Sequence, residues 1–193
     1  MSLSSRRYCL ISPCRDEQQY ARRTIESVLR QTMQPALWII VDDGSTDQTP
    51  AILAEYAARV PYIRVVRRAD RGERKLGGGV IDAFYAGYDT INPDDFDYVC
   101  KFDLDLDLPP GYFEILIKRM ENDPRIGTCS VIETPFTPRA LGRTRCHASR
   151  GTRSPLTRTW PPRAQNPRGR SGSFSTISAM VGIAPGTSGS ISR

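Results

Sequence analysis

The sequence is nearly without histidine, and its few cysteines are widely spread. His147 is the single histidine among 193 residues, and none of the five cysteines pairs with another at the spacing of metal ligands. Cys9, Cys100 and Cys129 lie within apolar runs, where cysteine behaves as a small buried hydrophobic residue. Zinc sites take their ligands from cysteine and histidine at short spacings, so this composition argues against a zinc protein.

Long hydrophobic runs are also missing. No stretch approaches the run of about 18 apolar residues that a membrane-spanning helix needs. The apolar segment that follows Arg7 has only about six residues, too few for a signal peptide. Together with the odd number of cysteines, these absences favour a protein of the reducing cytoplasm. Peripheral attachment to the inner face of the membrane is the alternative.

Residues 133–193 lack lysine and contain one acidic residue, Glu133. They hold 10 arginines and a net charge of +9, whereas residues 1–132 have a net charge of −3. No helical or strand period persists in this tail, and it cannot bury much apolar surface. We therefore predict a folded domain over 1–132 and a disordered tail over 133–193.

Two other interpretations of the tail are open. Arginines that neutralise phosphates would suit a nucleic-acid-binding arm, although the aromatic residues there are too sparse for base stacking. Out-of-frame translation of GC-rich DNA would also produce an arginine-rich segment without lysine or periodicity. On that hypothesis the chain from about residue 132 is a frameshifted end.

The first 132 residues alternate between short apolar runs and amphipathic segments. The pattern predicts helices over 17–31, from about 47, over 80–90 and after Gly111, between strands near 8–11, 36–41, 62–66, 97–102 and 126–131. Such alternation implies parallel strands joined by right-handed crossovers. The predicted fold is α/β, with a Rossmann-like, mostly parallel sheet flanked by helices and followed by an irregular tail.

Two acidic motifs follow predicted strands. Val41–Asp47 reads Val-Asp-Asp-Gly-Ser-Thr-Asp, and Asp103-Leu104-Asp105 follows the strand at 97–102. Because ligands of open α/β sheets bind outside the carboxyl ends of the strands, both motifs should face one crevice. In the first motif a carboxylate can accept hydrogen bonds from a base or ribose, and a capped turn is the ordinary alternative.

Asp103 and Asp105 form the candidate metal site, with Asp107 beyond them. Along an extended chain the three aspartates would share one side and the intervening leucines the other. Carboxylate oxygens suit Mg²⁺ or Mn²⁺, which often binds through one or two carboxylates and the phosphates of a substrate. An acidic, solvated edge strand is the alternative without function.

Two further segments are candidates for the same crevice. Arg71 and Lys75 lie in a charged loop that could supply cations to a diphosphate, or could simply be solvated. Ser12–Glu17 ends the first strand, which places its residues at the edge of the crevice. Cys14 in this segment lacks a histidine partner and is not expected to act as a nucleophile.

Taken together, these motifs resemble the family 2 glycosyltransferases, which have a GT-A fold. Ser12–Glu17 is similar to the first-strand segment Ile-Pro-x-Tyr-Asn-Glu of that family. Pro13 and Glu17 match it, Asp16 replaces the asparagine, and Arg15 replaces the aromatic residue.

The second motif carries the resemblance furthest. Val41–Asp47 matches the family signature without a gap, and Asp103-Leu104-Asp105 stands at the position of the Asp-x-Asp motif. The resemblance covers about residues 7–132. Nothing after residue 132 matches the half of the family that supplies the acceptor site and an acidic general base, which inverting displacement requires. The context of Glu133 does not fit either, so the catalytic base stays unassigned.

The resemblance implies transfer of a sugar from a nucleotide-diphospho-sugar, commonly a UDP-sugar, to an acceptor hydroxyl of a glycan or lipid-linked sugar. Mn²⁺ or Mg²⁺ would neutralise the leaving group. The implied metal ligands are Asp103 and Asp105, and the implied nucleotide-sugar-binding residues are Pro13, Cys14, Arg15, Glu17, Asp43, Gly44, Ser45, Arg71, Lys75 and Asp103. The alternatives are an inactive nucleotide-sugar-binding module, a nucleotidyltransferase of similar topology, and a nucleic-acid binder acting through its arginine tail.

Overall fold

The computed structural model describes residues 6–70, 72, 78–123, 125–131, 144–148 and 179–183. The strands are β1 (Tyr8–Cys14), β2 (Leu37–Asp42), β3 (Ile63–Arg67), β4 (Tyr98–Phe102), β5 (Ile126–Val131), β6 (Thr144–Ala148) and β7 (Ala179–Ile183). The helices are α1 (Ala21–Leu29), α2 (Thr49–Arg59), α3 (Gly78–Tyr88) and α4 (Tyr112–Asn122).

All seven strands belong to one sheet in the order β3-β2-β1-β4-β7-β5-β6. β2 pairs with β3, and β1 pairs with both β2 and β4; all three pairings are parallel. Parallel neighbours need long connections, and the helices α1, α2 and α3 supply them. The predicted mostly parallel α/β sheet is therefore confirmed.

Helices cover both faces of the sheet. Tyr8 and Leu10 point into a core formed with α1, α2 and α4, whereas Cys9 and Ile11 point into a second core with α3. Strand side chains alternate between faces, so burial on both sides explains why these strands read as continuous apolar runs. Among the residues that the structure describes, no helix is long and apolar enough to cross a membrane.

Helix α3 packs directly on the strands because of Gly87. A Cβ at Gly87 would lie 2.8 Å from Cγ2 of Val41 and 3.0 Å from Cγ2 of Ile11. Only a residue without a side chain permits this approach. The close packing holds α3 under the carboxyl halves of β1 and β2, where the acidic loops begin.

The sequence pattern missed two strands. β7 lies antiparallel between β4 and β5, and β6 pairs antiparallel with β5. The expectation that residues 133–193 contain no strand is therefore wrong at these two segments. β6 (Thr-Arg-Cys-His-Ala) has no apolar run, and β7 (Ala-Met-Val-Gly-Ile) lies in a segment rich in serine and glycine, so neither stands out by its sequence pattern. The rest of 133–193 lies outside the described residues.

Candidate functional site

The order of the strands creates a crevice between β1 and β4. From β1 the chain moves outward through β2 to β3, and then returns to place β4 on the opposite side of β1. In open α/β sheets such a switch point, at the carboxyl ends of the strands, is the usual place for a ligand. Arg15 directly follows β1 and Asp103 directly follows β4, so both residues lie at this point.

The loop after β1 is tied to the loop after β2. The main-chain N–H of Asp16 donates to Oγ of Ser45 at 2.9 Å, and the N–H of Thr46 donates to Oδ1 of Asp16 at 2.8 Å. The N–H of Glu17 donates to Oγ1 of Thr49 at 2.8 Å. Asp16 has φ of +57°, a conformation that aspartate tolerates better than most residues. The two loops are thereby held together as one unit.

The buried carboxylate of Asp42 stabilises the turn that follows β2. The residue is fully buried, and Oδ1 accepts a hydrogen bond from the main-chain N–H of Ser45 at 2.8 Å. Nε of Arg67 lies 3.7 Å from the other oxygen. Asp42 therefore stabilises the loop, while the neighbouring Asp43, which directly follows β2, is half-buried.

Pro13 and Cys14 lie at the end of β1 with buried side chains. The thiol of Cys14 donates to the carbonyl oxygen of Val41 at 3.5 Å. Burial raises the pKa of the Cys14 thiol well above its usual value, and the negative charge of Asp42 adds to this shift. The thiol stays protonated, which agrees with the expectation that Cys14 is not a nucleophile.

Two arginines and two aspartates join the loops after β1, β2 and β3. Nη1 of Arg15 donates to the carbonyl oxygen of Asp43 at 3.2 Å, and its Nη2 donates to Oδ1 of Asp70 at 2.8 Å. Nη1 of Arg68 lies 2.8 Å from Oδ1 of Asp43 in an ion pair. Arg68 and Asp70 belong to the charged loop that was predicted to supply cations to a diphosphate. Their pairing with Asp43 and Arg15 could not be predicted, because a charged loop gives no local sign of its distant partners.

Asp103 is half-buried, and its carboxylate forms an ion pair with Nζ of Lys101. Burial raises the pKa of Asp103, while the positive charge of Lys101 acts in the opposite direction. Asp105 is exposed. Both residues of the predicted metal site therefore lie just beyond β4.

The predicted extended arrangement of Asp103, Asp105 and Asp107 is wrong. β4 ends at Phe102 and the chain turns at 104–105, so the three carboxylates do not share a strand face. Asp107 instead lies 2.9 Å from Nη2 of Arg23 and 3.7 Å from Nη2 of Arg30, both on or beside α1. Asp107 therefore forms surface ion pairs with arginines from another segment.

The carboxylates of Asp103 and Asp105 suit a divalent cation that is shared with a substrate. Among the described residues, no group of three or more His, Cys, Asp or Glu side chains is placed to hold a metal by itself. Mg²⁺ and Mn²⁺ commonly use one or two carboxylates together with phosphate oxygens. Burial disfavours the negative charge of a half-buried carboxylate, and a bound cation stabilises that charge. Arg71 and Lys75, the predicted cations of the diphosphate, lie outside the described residues.

Comparison with known proteins identifies the family. The sequence model of the family described as Glycosyl transferase family 2 matches residues 9–181, and so extends beyond residue 132, where the motifs of the resemblance end. The chain belongs to glycosyltransferase family 2. It is 28% identical over 133 residues to the uncharacterized glycosyltransferase YibD of Escherichia coli strain K12, a match that covers 67% of this chain and 35% of YibD. The chain spans about a third or less of the first curated relatives that it matches.

Two solved structures of glycosyltransferases share the fold. The mannosyltransferase PcManGT from Pyrobaculum calidifontis, in complex with GDP-Man and Mn²⁺, gives a TM-score of 0.56 at 20% identity and covers 68% of this chain and 37% of its own. S. aureus TarS in complex with UDP-GlcNAc gives 0.53 at 16% identity, covering 71% of this chain and 37% of TarS. These neighbours confirm the GT-A type of the sheet.

Proposed function

We propose that this family 2 glycosyltransferase chain binds a nucleotide-diphospho-sugar at the carboxyl ends of β1, β2 and β4, and that the sugar is transferred to an acceptor hydroxyl. The supporting observation is the switch point, where the loop carrying Asp43 and the loop carrying Asp103 and Asp105 flank one crevice. A UDP-sugar is the first candidate donor, as in the TarS complex, and a GDP-sugar is the second, as in the PcManGT complex.

The proposed roles follow the positions of the residues. Asp43, Gly44 and Ser45 would hold the nucleoside together with the end of β1. Asp103 and Asp105 would hold Mn²⁺ or Mg²⁺, which supplies neutralisation of the charge that develops on the leaving diphosphate. Arg71 and Lys75 would add positive charge to the diphosphate.

Nucleotide titration tests this proposal. Isothermal titration of the full chain with UDP and GDP, each with and without Mn²⁺, should give tighter binding of one nucleotide when the metal is present. The Asp105→Ala variant should lose this metal-dependent gain. Asp107→Ala is the matched control and should keep it, because Asp107 pairs with Arg23 and Arg30. Equal affinities under all conditions would contradict the metal site.

A nucleotide-sugar-binding module without transferase activity is the second candidate, because no general base has been assigned. Release of free nucleotide from the donor sugar, with or without an added acceptor, separates the two candidates. Metal-dependent binding without release would favour the module. Measurable hydrolysis or transfer would favour the enzyme.

A further inference from the structure

The guanidinium of Arg15 is directed at the protein itself. Its Nη1 donates to the carbonyl oxygen of Asp43, its Nη2 donates to the carboxylate of Asp70, and its Nε lies 3.7 Å from Oδ2 of Asp16. The side chain is 12% exposed. All three guanidinium nitrogens therefore face protein oxygens, and little of the guanidinium is accessible to a ligand.

We propose that Arg15 is a positioning residue, which presets Asp43 and the loop after β3 for the nucleoside instead of binding the diphosphate. This inference rests on the proposed function of the site. It assigns Arg15 an indirect role, in contrast to the direct contact that the family resemblance implies.

Three contacts within the protein fix the position of Asp43 without a ligand. Its carbonyl oxygen accepts from Arg15, its main-chain N–H donates to the carbonyl oxygen of Cys14 at 2.9 Å, and its carboxylate pairs with Arg68. A group that is fixed in this way loses little conformational freedom when a ligand binds. Arg15 thus contributes to affinity through the geometry of Asp43.

The link continues into the loop after β3. The carboxylate oxygen of Asp70 that accepts from Arg15 also accepts from the main-chain N–H of Gly72 at 2.9 Å. Arg15 and Asp70 lie 55 positions apart in the sequence, so this ion pair joins two loops that no local turn connects. Removing the Arg15 cation would leave three neighbouring carboxylates, those of Asp16, Asp43 and Asp70, with less positive charge among them.

Comparison of a neutral and a charged ligand tests the indirect role. Dissociation constants of uridine and UDP are measured for the full chain and for Arg15→Met by NMR titration. Loss of a charge-assisted network predicts affinity about tenfold weaker. A positioning role predicts the same factor for both ligands, since both carry the nucleoside. A direct contact of Arg15 with the nucleoside would predict this as well, but such a contact would add its effect to that of Asp70→Asn in the double variant described next. A loss confined to UDP would overturn the inference, because it would place Arg15 on the diphosphate. If GDP is the better ligand, guanosine and GDP replace them.

A double-mutant cycle adds an independent readout. Arg15→Met and Asp70→Asn should each weaken nucleoside binding, and the double variant should bind no more weakly than the weaker single variant. Multiplying effects would contradict the proposed link. Arg22→Met is the matched control, because it removes an equal charge whose partner is Glu55; its affinity should equal that of the original chain.

Failure of the proposed function can be distinguished from failure of this inference. If the original chain binds neither UDP nor GDP, the proposed donor site is wrong, and amide hydrogen exchange then tests the role of Arg15. Arg15→Met should accelerate exchange at Gly44 and Ser45 relative to Arg22→Met. Unchanged exchange at these amides would overturn the positioning role.

Discussion

Gly44 lies directly against the main chain of Asp70. A Cβ at Gly44 would be 2.5 Å from Cα and 2.9 Å from the nitrogen of Asp70, and Gly44 has φ of +75°. Both the close approach and the left-handed conformation require glycine. The loop after β2 therefore rests on the loop after β3, and the position of Asp43, the residue before Gly44, depends on this contact.

The contact between Gly44 and Asp70 leads to a matched pair of variants. Gly44→Ala should lower the free energy of unfolding by about 2–4 kcal/mol, because it combines backbone strain with a steric clash. Gly72→Ala should cost only about 1–2 kcal/mol, because Gly72 has φ of +77° but nothing lies within 4 Å of the place that a Cβ would occupy there. Urea denaturation of both variants measures the difference, and equal losses would contradict the close packing.

Asp47 gives the fold a pH dependence. Its carboxylate accepts from the main-chain N–H groups of Thr49 at 2.8 Å and Gln18 at 3.1 Å. Burial raises the pKa of Asp47, but these hydrogen bonds outweigh burial and lower the pKa on balance. A lowered pKa means that the ionised form stabilises the folded state above the ordinary aspartate pKa of about 3.9, and that this contribution is lost as the pH falls through the folded-state value.

The corresponding variant is Asp47→Asn. At pH 7 it should be about 0.5–1 kcal/mol less stable than the original chain, the usual size of a lost helix-start interaction. The difference should shrink as the pH falls from about 4, the ordinary aspartate pKa, through the lower pKa of Asp47 in the folded state. Thermal unfolding across this range measures it. A difference that stays constant with pH would mean that the charge of Asp47 does not contribute.

Sequence periodicity predicted the central sheet because the strands and helices of residues 8–131 are specified locally. The strand predicted at 126–131 coincides with β5, and the helix predicted over 17–31 is found at Ala21–Leu29. A continuous apolar run indicates a strand that is buried on both faces, and apolar residues at helical spacing indicate a helix with one buried face. The placement of both acidic motifs beyond the ends of strands followed from the same pattern.

The partners of the site residues could not be predicted in this way. Arg15 pairs with Asp70 and Asp107 pairs with Arg23, contacts between segments 55 and 84 positions apart. An alternating Asp-Leu pattern suggests an extended chain, whereas the turn that follows β4 separates Asp107 from the other two aspartates. Such contacts depend on tertiary packing, which single-sequence patterns do not record.

Lys101 should compete with the metal for Asp103. Its Nζ forms an ion pair with the Asp103 carboxylate, so a bound cation must displace it. In the presence of UDP, Lys101→Met should bind Mn²⁺ about three- to fivefold more tightly, the effect of removing a partly exposed pair worth up to about 1 kcal/mol. Electron paramagnetic resonance of free Mn²⁺ measures this. Lys118→Met, which removes the partner of Glu114, should leave the affinity unchanged. Weaker binding in Lys101→Met would show that Lys101 assists the ligand.

The composition of residues 133–193 supports a test at the level of DNA. We propose that the reading frame changes near residue 132, and the coding sequence from codon 125 onward should then continue the α/β pattern in another frame. Translation of all three frames checks this directly. If no other frame continues the pattern, and limited proteolysis leaves the segments at 144–148 and 179–183 intact, the frameshift hypothesis is wrong.

The proposed function requires the carboxyl ends of β1, β2 and β4 to form one nucleotide and metal site. Paramagnetic broadening of amide resonances by Mn²⁺, recorded with and without UDP, tests it most directly. A shared site predicts strong UDP-dependent broadening at Arg15, at 43–45 and at 103–105, and much weaker broadening at Tyr8 and Tyr98, which begin β1 and β4 at the opposite ends of these strands. Broadening confined to 103–105 or centred on another acidic segment would contradict the shared site.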